Sequence, residues 1–101
     1  MKNDSARIYY VVILQPPGEP KELTNEVIGK HAQHLRELDA DEKLVLAGPF
    51  IDHPSGLLVL RGNDKDEIKS IMDEDPLIVG GFRSYEIRTW LMANEGNNYM
   101  P

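Results

Sequence analysis

The chain contains no cysteine, so disulfide bridges, thiolate metal sites and a cysteine nucleophile are all excluded. Its length of 101 residues fits one domain and is enough for a single hydrophobic core of modest size. Hydrophobic residues make up 41% and charged residues 28%, which is typical of a globular protein. We therefore expect one domain over residues 1–101, with a polar tail at residues 93–101.

Basic residues are outnumbered by acidic ones. There are 11 Lys and Arg against 17 Asp and Glu, and the formal net charge is −6. A protein that binds the phosphate backbone of nucleic acid needs a basic surface. The charge balance therefore argues against a nucleic-acid partner.

Long apolar runs are also absent. The run near the N-terminus, residues 8–14, is seven residues long, whereas a membrane-spanning helix needs about 20. The residues before it carry little positive charge and no small-residue cleavage site follows it, so it does not fit a signal peptide. We expect a cytoplasmic protein without membrane contact.

Proline and glycine clusters divide the rest of the chain into strands and helices. β-Branched and aromatic segments predict strands, and apolar residues at i, i+3, i+4 and i+7 predict helices. The predicted strands are residues 7–15, 43–50, 57–61 and 82–92. The predicted helices are residues 22–40 and a second one that opens at 62–64 and ends near Asp75, because Pro76 disfavours helical geometry in the residue before it. Residues 77–81 are predicted to form a loop.

Two sequence signals predict where the helices begin. Thr24 is a candidate N-cap of the first helix. Asp64 and Glu67 have the spacing of a capping box at the start of the second helix.

The element order βαββαβ predicts an α+β, ferredoxin-like fold, in which two helices cover one face of a four-stranded antiparallel sheet. The strands at residues 8–14 and 57–60 are apolar continuously rather than in alternation, which indicates that both faces of the sheet are covered. The helices cover one face only. We therefore expect a second subunit on the open face, in a homodimer built by sheet-on-sheet packing.

Each predicted helix carries one residue of unexpected chemistry on its apolar face. His31 lies on the stripe formed by Val27, Ile28, Leu35 and Leu38. The stripe of Ile68, Ile71 and Met72 continues to Asp75. Imidazole and carboxylate groups are costly to bury without partners, so an inward-facing His and Asp indicate a polar pair at the edge of a cleft, where proton transfer takes place in many enzymes.

The combination of motifs resembles the YCII-related (YciI-like) family of the dimeric α+β barrel superfamily. The matching residues are His31 with Leu35 and Leu38, the segment Leu46-Ala47-Gly48-Pro49-Phe50 with Asp52 and Gly56, the Asp75-Pro76 step, and Tyr85-Glu86-Ile87 with Trp90. The resemblance implies a dimeric ferredoxin-like barrel with His31 and Asp75 as the active pair. Some relatives act as dehydrochlorinases in aromatic degradation, and muconolactone isomerases are similar in fold.

The predicted function is that of a small dimeric enzyme in which Asp75 holds the imidazole of His31 while His31 moves a proton on a small organic acid or aromatic-derived substrate. The reaction would be of the lyase, isomerase or dehydrochlorinase type. The candidate substrate-binding residues are Gly48, Pro49, Phe50, Tyr10 and His34. Arg36, Arg83 and Arg88 are candidates for holding a substrate carboxylate, although surface arginines are more often simply solvated.

Several alternatives remain open from the residues alone. His31 can be a structural histidine bonded to backbone, and Asp75 an exposed residue that forms an Asx turn before proline. His31 and His34 allow a metal site with His53 or a carboxylate as the third ligand, but they lack the glutamate of the His-Glu-x-x-His motif, and no metal or cofactor is predicted.

Two other functions compete with the enzyme. A non-catalytic small-molecule binding or regulatory module would use the same cleft. An RNA-binding domain of the RRM type has the same element order, but its third strand should carry stacking aromatic residues, and residues 56–61 here read Gly-Leu-Leu-Val-Leu-Arg.

Overall fold

The computed structural model of the protein describes residues 7–100. The strands are β1 (Ile8–Gln15), β2 (Leu44–Pro49), β3 (Gly56–Leu60) and β4 (Ser84–Leu91). The helices are α1 (Asn25–Ala40), α2 (Lys65–Met72) and the short α3 (Pro76–Val79), and a 3-10 helix follows at Glu95–Asn97. The predicted order βαββαβ is therefore confirmed, with α3 as an addition between α2 and β4.

The four strands form one antiparallel sheet in the order β2-β3-β1-β4. The two central strands are β1 and β3, and Val12 of β1 lies opposite Leu58 of β3 and Ile87 of β4. This strand order, with helices packed on the sheet, is the ferredoxin-like arrangement that the sequence predicts.

The hydrophobic core lies between the helices and one face of the sheet. Along β1 the buried residues alternate with half-buried ones, as the two-residue period of a strand requires. The core-facing strand residues are Tyr10, Val12, Leu14, Leu58, Leu60 and Ile87, and the helices contribute Leu38, Ile68, Met72 and Leu77. All the helix side chains in this cluster therefore approach the sheet from the same side.

Both predicted N-caps are confirmed. The Thr24 side chain accepts a hydrogen bond from the Val27 backbone N–H at 3.2 Å, so α1 begins at Asn25, three residues later than the sequence predicts. Asp64 Oδ1 accepts from the Glu67 N–H at 2.9 Å. Glu67 Oε1 in turn accepts from the N–H of Asn63 at 2.7 Å, one residue before the cap itself. The start of α2 is thus held by a variant of the predicted capping box.

The segment after α2 differs from the prediction. The second helix ends at Met72 rather than near Asp75, and residues 77–79, predicted as part of a loop, belong with Pro76 to α3. Asp75 is the N-cap of α3, and Pro76 occupies its first turn. The reason is that proline fits the first turn of a helix, where its missing N–H costs nothing, so the Asp-Pro step starts a helix here.

The other face of the sheet carries apolar residues beside one charged pair, Glu86 and Arg88 of β4. Tyr9, Val11 and Ile13 of β1 alternate with the core residues and point to this face, where they are half-buried. Tyr9 contacts Trp90 of β4, with 6.4 Å between ring centroids, and Trp90 is 46% exposed. Leu46 of β2 is paired with Val59 and is 66% exposed. The helices lie on the opposite side of the sheet, so this surface is open in the single chain.

The C-terminal segment folds back onto the sheet edge. Asn97 Nδ2 donates to the Met92 carbonyl at 2.8 Å, and the Arg7 guanidinium donates to the Gly96 carbonyl at 3.0 Å. Of the predicted polar tail, Pro101 lies outside the described residues. Within residues 7–100, no helix combines the length and the apolar character that crossing a bilayer requires.

Candidate functional site

A cavity of about 370 Å³ lies between α1 and the β2–β3 side of the sheet. This volume is at the small end of the range of roughly 300–1,000 Å³ that small-molecule sites occupy. Its lining is mostly apolar, and the polar side chains in it are His31, Ser55 and Arg83. The apolar part of the lining is Leu14, Leu23, Ile28, Leu35, Ala47, Pro49, Leu58 and Leu77, with Gly48 and Gly56.

His31 and Asp75 are in direct contact at this cavity. The Nδ1 atom of His31 lies 3.0 Å from Asp75 Oδ1 and 2.9 Å from Oδ2, although 44 residues separate them in sequence. The Asp75 side chain is fully buried, and 17% of the His31 side chain is exposed. The carboxylate thus lies behind the ring, and the ring lies at the cavity wall.

Asp75 is positioned by the start of α3. Its Oδ1 accepts the backbone N–H of Leu77 at 2.8 Å, in the manner of an N-cap side chain. The same carboxylate therefore caps α3 and accepts from His31. This double use accounts for a buried acidic residue that has no Lys or Arg partner within residues 7–100.

The hydrogen bond to Asp75 determines which imidazole nitrogen is available. A carboxylate only accepts, so Nδ1 has to carry the proton that it donates, and in the neutral ring Nε2 is then the unprotonated nitrogen. Nε2 of His31 makes no hydrogen bond within residues 7–100, and it is not among the fully buried atoms there that lack a partner. The arrangement leaves a free proton acceptor on a residue that lines the cavity.

A model of the YCII-related domain matches residues 8–91 of the chain. This span includes all four strands, all three α-helices, His31 and Asp75. The protein belongs to the YCII-related family.

Two relatives can be named. The uncharacterised protein YjpA of Bacillus subtilis strain 168 is 29% identical over 70 residues, which are 69% of this chain and 82% of YjpA. The solved structure of the 5-chloro-2-hydroxyhydroquinone dehydrochlorinase TftG of Burkholderia phenoliruptrix AC1100, in complex with 2,5-dihydroxybenzoquinone, is similar with a TM-score of 0.60. That alignment covers 88% of this chain and 99% of TftG at 17% identity, so it shows a shared fold.

The structure divides the five substrate-binding candidates of this YCII-related chain into two groups. Gly48 and Pro49, at the end of β2, line the cavity. Tyr10 is buried in the core at 6% exposure, Phe50 is 44% exposed beyond the strand end, and neither is part of the lining. His34 also lies outside the lining, and its Nε2 is buried without a hydrogen-bond partner in residues 7–100.

The sequence does not predict that other residues, among them Ile28, Leu35 and Gly56, line the cavity. Ile28 and Leu35 share the helical stripe of His31 and reach the cavity from the same face of α1, so their spacing was a usable signal. At Gly56 the sequence signal was weaker. A Cβ at Gly56 would lie 3.0 Å from the Gly48 carbonyl oxygen, a tight contact with backbone, so the close approach of β2 and β3 at this wall favours glycine.

The alternative of a metal site combines His31 and His34 with either His53 or a carboxylate. Within residues 7–100 no group of three or more His, Asp or Glu side chains is placed to hold a metal ion. His53 instead lies in the β2–β3 turn, where its Nδ1 is 2.8 Å from Ser55 Oγ. Ser55 in turn lines the cavity, so His53 contacts the site indirectly.

A second polar cluster of the YCII-related chain flanks the connection between α2 and α3. Asp73 accepts from the Tyr85 hydroxyl at 2.7 Å and from Lys69 at 2.8 Å, and these bonds lower its pKa. Burial, and then the bond to Asp73, raise the pKa of Tyr85 to about 12. The cluster fixes the end of α2 to β4, two residues before Asp75.

Proposed function

We propose that this protein is a small homodimeric enzyme that transfers a proton on a small organic acid or an aromatic-derived substrate. The reaction is of the lyase, isomerase or dehydrochlorinase type. His31 is the group that takes and returns the proton, and Asp75 positions it. The observation that carries the proposal is the contact of His31 Nδ1 with both oxygens of the buried Asp75, on a ring that lines an apolar cavity.

The chemistry follows from this geometry. Nε2 of His31 accepts a proton from an acidic position of the bound substrate, and the electron pair left behind moves into the substrate, where it expels a leaving group or shifts a double bond. Asp75 keeps the Nδ1 proton in place and stabilises the positive charge of the protonated ring. His31 then returns the proton to the substrate or to water. Such general acid–base assistance contributes about 10²–10⁴ in rate.

The structural similarity to TftG suggests which class of substrate to test first. TftG is a dehydrochlorinase whose solved complex holds a dihydroxybenzoquinone. Loss of HCl from a hydroxylated ring needs a base for one proton, which is the role assigned here to His31. At 17% identity the comparison supplies a class of substrate to test first.

The homodimer is part of the proposal. The open sheet face carries Tyr9, Val11, Ile13 and Trp90, with the ion pair of Glu86 and Arg88 beside them, and exposed apolar side chains grouped in this way are typical of a protein interface. A second copy that packs its own open face against it would bury both surfaces with one symmetric contact.

A non-catalytic small-molecule binding or regulatory module is the second candidate function. The observation that favours it is the lining itself, which is apolar except for His31, Ser55 and Arg83 and would hold a ligand without any chemistry. The two functions share a binding step and differ only in turnover.

Turnover by His31 variants tests the proposal. The purified protein is supplied with 5-chloro-2-hydroxyhydroquinone and with a panel of small cyclic acids, in D₂O, and chloride release and deuterium incorporation are followed by NMR. We expect kcat/KM to fall by about 10²–10⁴ in His31→Asn, because the amide can donate to Asp75 but cannot take up a proton.

Gln33→Asn is the comparison variant, because it places the same amide on the exposed side of the same helix, away from the cavity lining. We expect it to keep the wild-type rate. Full turnover by His31→Asn would contradict the assignment. Ligand binding without turnover of any panel member would favour the binding module.

A further inference from the structure

The structure separates the three arginines that the sequence offers as carboxylate binders. Arg36 is exposed on α1, where its Nε donates to Gln33 at 3.1 Å. Arg88 points away from the helices and pairs with Glu86 at 2.5 Å, with 64% of its side chain exposed. Arg83 alone among the three lines the cavity. Position therefore distinguishes Arg83 from two residues of the same chemistry.

Arg83 is held at the cavity by its backbone. Its N–H donates to the Leu77 carbonyl at 3.0 Å, in the turn that joins α3 to β4. The preceding carbonyl, that of Phe82, accepts from Arg83 Nη1 at 2.7 Å. The bond to Leu77 ties the residue to the short helix that Asp75 caps, so Arg83 and Asp75 are positioned by the same element.

The guanidinium of Arg83 has N–H donors that bind no acceptor within residues 7–100. An arginine side chain carries five N–H donors, and the Phe82 carbonyl is the one acceptor that it contacts within residues 7–100. No Asp or Glu in that range forms an ion pair with it. A half-buried cation next to an apolar surface is costly to keep without a counter-charge. The missing counter-charge is the feature that points to a ligand.

We propose that Arg83 binds the anionic group of the substrate and makes this site specific for small molecules with an apolar body and one acidic oxygen group, such as a carboxylate. This inference rests on the proposed function, in which His31 removes a proton from the same molecule. When the proton moves to Nε2, the electron pair stays in the substrate and is delocalised towards its oxygens. A guanidinium placed on those oxygens favours both binding and the negative charge that develops there.

A charged and neutral pair of ring compounds tests the inference without turnover. Benzoate and its neutral isostere benzamide are titrated by calorimetry into the wild-type protein, Arg83→Met, Arg83→Lys and the matched control Arg36→Met, which removes the same charge from the exposed face of α1. Thermal melting verifies that each variant is folded. We expect the wild-type protein to prefer benzoate, and Arg83→Met to bind it roughly 10- to 100-fold more weakly.

The other variants refine the expected result. Arg36→Met should bind as the wild type does, and Arg83→Lys should retain part of the preference, since lysine keeps the charge without the two-pronged geometry. In Arg83→Met the two compounds should bind about equally. An unchanged preference for benzoate in Arg83→Met, or wild-type protein that does not favour benzoate, would overturn the inference.

The same titration on His31→Asn separates this inference from the proposed function. If Arg83 supplies the anion site, His31→Asn keeps the preference for benzoate even though its turnover is lost. A preference that disappears in His31→Asn and persists in Arg83→Met would assign the anion site to the imidazole and overturn the role of Arg83. If turnover were unchanged in His31→Asn and the Arg83 results were as expected, proton transfer by His31 would be contradicted, whereas anion binding by Arg83 would stand.

Discussion

Asp75 combines two roles that are usually performed by separate residues. Its Oδ1 accepts the N–H of Leu77 and so caps α3, while both of its oxygens lie within 3.0 Å of His31 Nδ1. Its side chain is fully buried. Because an asparagine can cap a helix and an alanine cannot, substitution at this one position can separate the stability role from the positioning role.

We predict that Asp75→Ala lowers the free energy of unfolding by about 2–4 kcal/mol, because it leaves the Leu77 N–H and the His31 Nδ1 without buried acceptors. Asp75→Asn should cost clearly less, because its amide oxygen can still accept from Leu77. Urea denaturation of the two variants measures the difference. Equal destabilisation by Asn and Ala would show that capping is not what Asp75 contributes.

We also predict that Asp75→Asn loses turnover while it remains folded. An amide in place of the carboxylate can present an N–H to the ring, which then carries its own proton on the cavity side and cannot act as a base. The expected fall in kcat/KM is about 10²–10⁴, with ligand affinity little changed. Turnover at the wild-type level would remove Asp75 from the account.

At the level of elements, the site depends on a helix of four residues. The sequence indicates that His31 and Asp75 face inward, because each continues an apolar helical stripe. It does not reveal α3, since four residues are too few to show a helical period, and Pro76 is compatible both with the end of one helix and with the start of the next. The sequence therefore predicts Asp75 at the C-terminus of α2, whereas the structure shows it as the N-cap of α3.

The cavity and its lining residues are harder to predict from the sequence than the inward-facing His31 and Asp75. Its walls come from α1, β1, β2, β3 and α3 together, so its lining depends on how these elements pack rather than on any local pattern. Gly48 and Pro49 were found because a Gly-Pro step at a strand end is conspicuous. Phe50 follows them directly in sequence but lies outside the lining. The sequence does not distinguish Arg83 from Arg36 and Arg88, because only the fold determines which arginine lines the cavity.

The cap of α2 gives a prediction of its own. Asp64→Ala removes the acceptor of the Glu67 N–H at the helix start, and we expect a loss of about 1 kcal/mol in the free energy of unfolding. Asp64→Asn should cost much less. Chemical denaturation measures both. A loss of similar size in the two variants would show that the negative charge, rather than the cap bond, stabilises α2.

The cluster of Asp73 and Tyr85 predicts a pH dependence. The pKa of Tyr85 is raised from 10.0 to about 12 in the folded protein, so between these pH values the unfolded chain loses this proton while the folded chain keeps it. The contribution of Tyr85 to the free energy of unfolding is therefore fully present below pH 10 and is lost as the pH rises towards 12. At pH 11 the loss is roughly 1 kcal/mol. Tyr85→Phe should lack that part of the fall, which urea denaturation at pH 9 and pH 11 measures. The same alkaline loss in both proteins would contradict the prediction.

At the level of the whole molecule, the sheet has one covered and one open face. The continuous apolar character of β1 and β3 predicts instead that both faces are covered, because a strand with one solvated face would alternate. The helices lie on the Tyr10, Val12 and Leu14 side, and Trp90 on the other side is 46% exposed. The proposed dimer would cover that second face.

We predict that Val11→Glu converts the proposed dimer to a monomer. Val11 lies in the open face opposite Arg88, so a glutamate there can pair with Arg88 in the single chain but would be buried between two facing sheets. Val79→Glu is the matched control, since Val79 is 71% exposed on α3. Sedimentation at micromolar concentration should show a dimer for the wild type and the control. A monomeric wild type would contradict the proposed dimer.

The imidazole of His31 can be examined directly by ¹⁵N NMR, without a substrate. Once the ring has been titrated to its neutral form, the account predicts that its proton is on Nδ1, facing Asp75, and that Nε2 is unprotonated. In Asp75→Asn the proton should move to Nε2. A wild-type ring that carries its proton on Nε2 would leave no base facing the cavity, and would contradict proton transfer by His31.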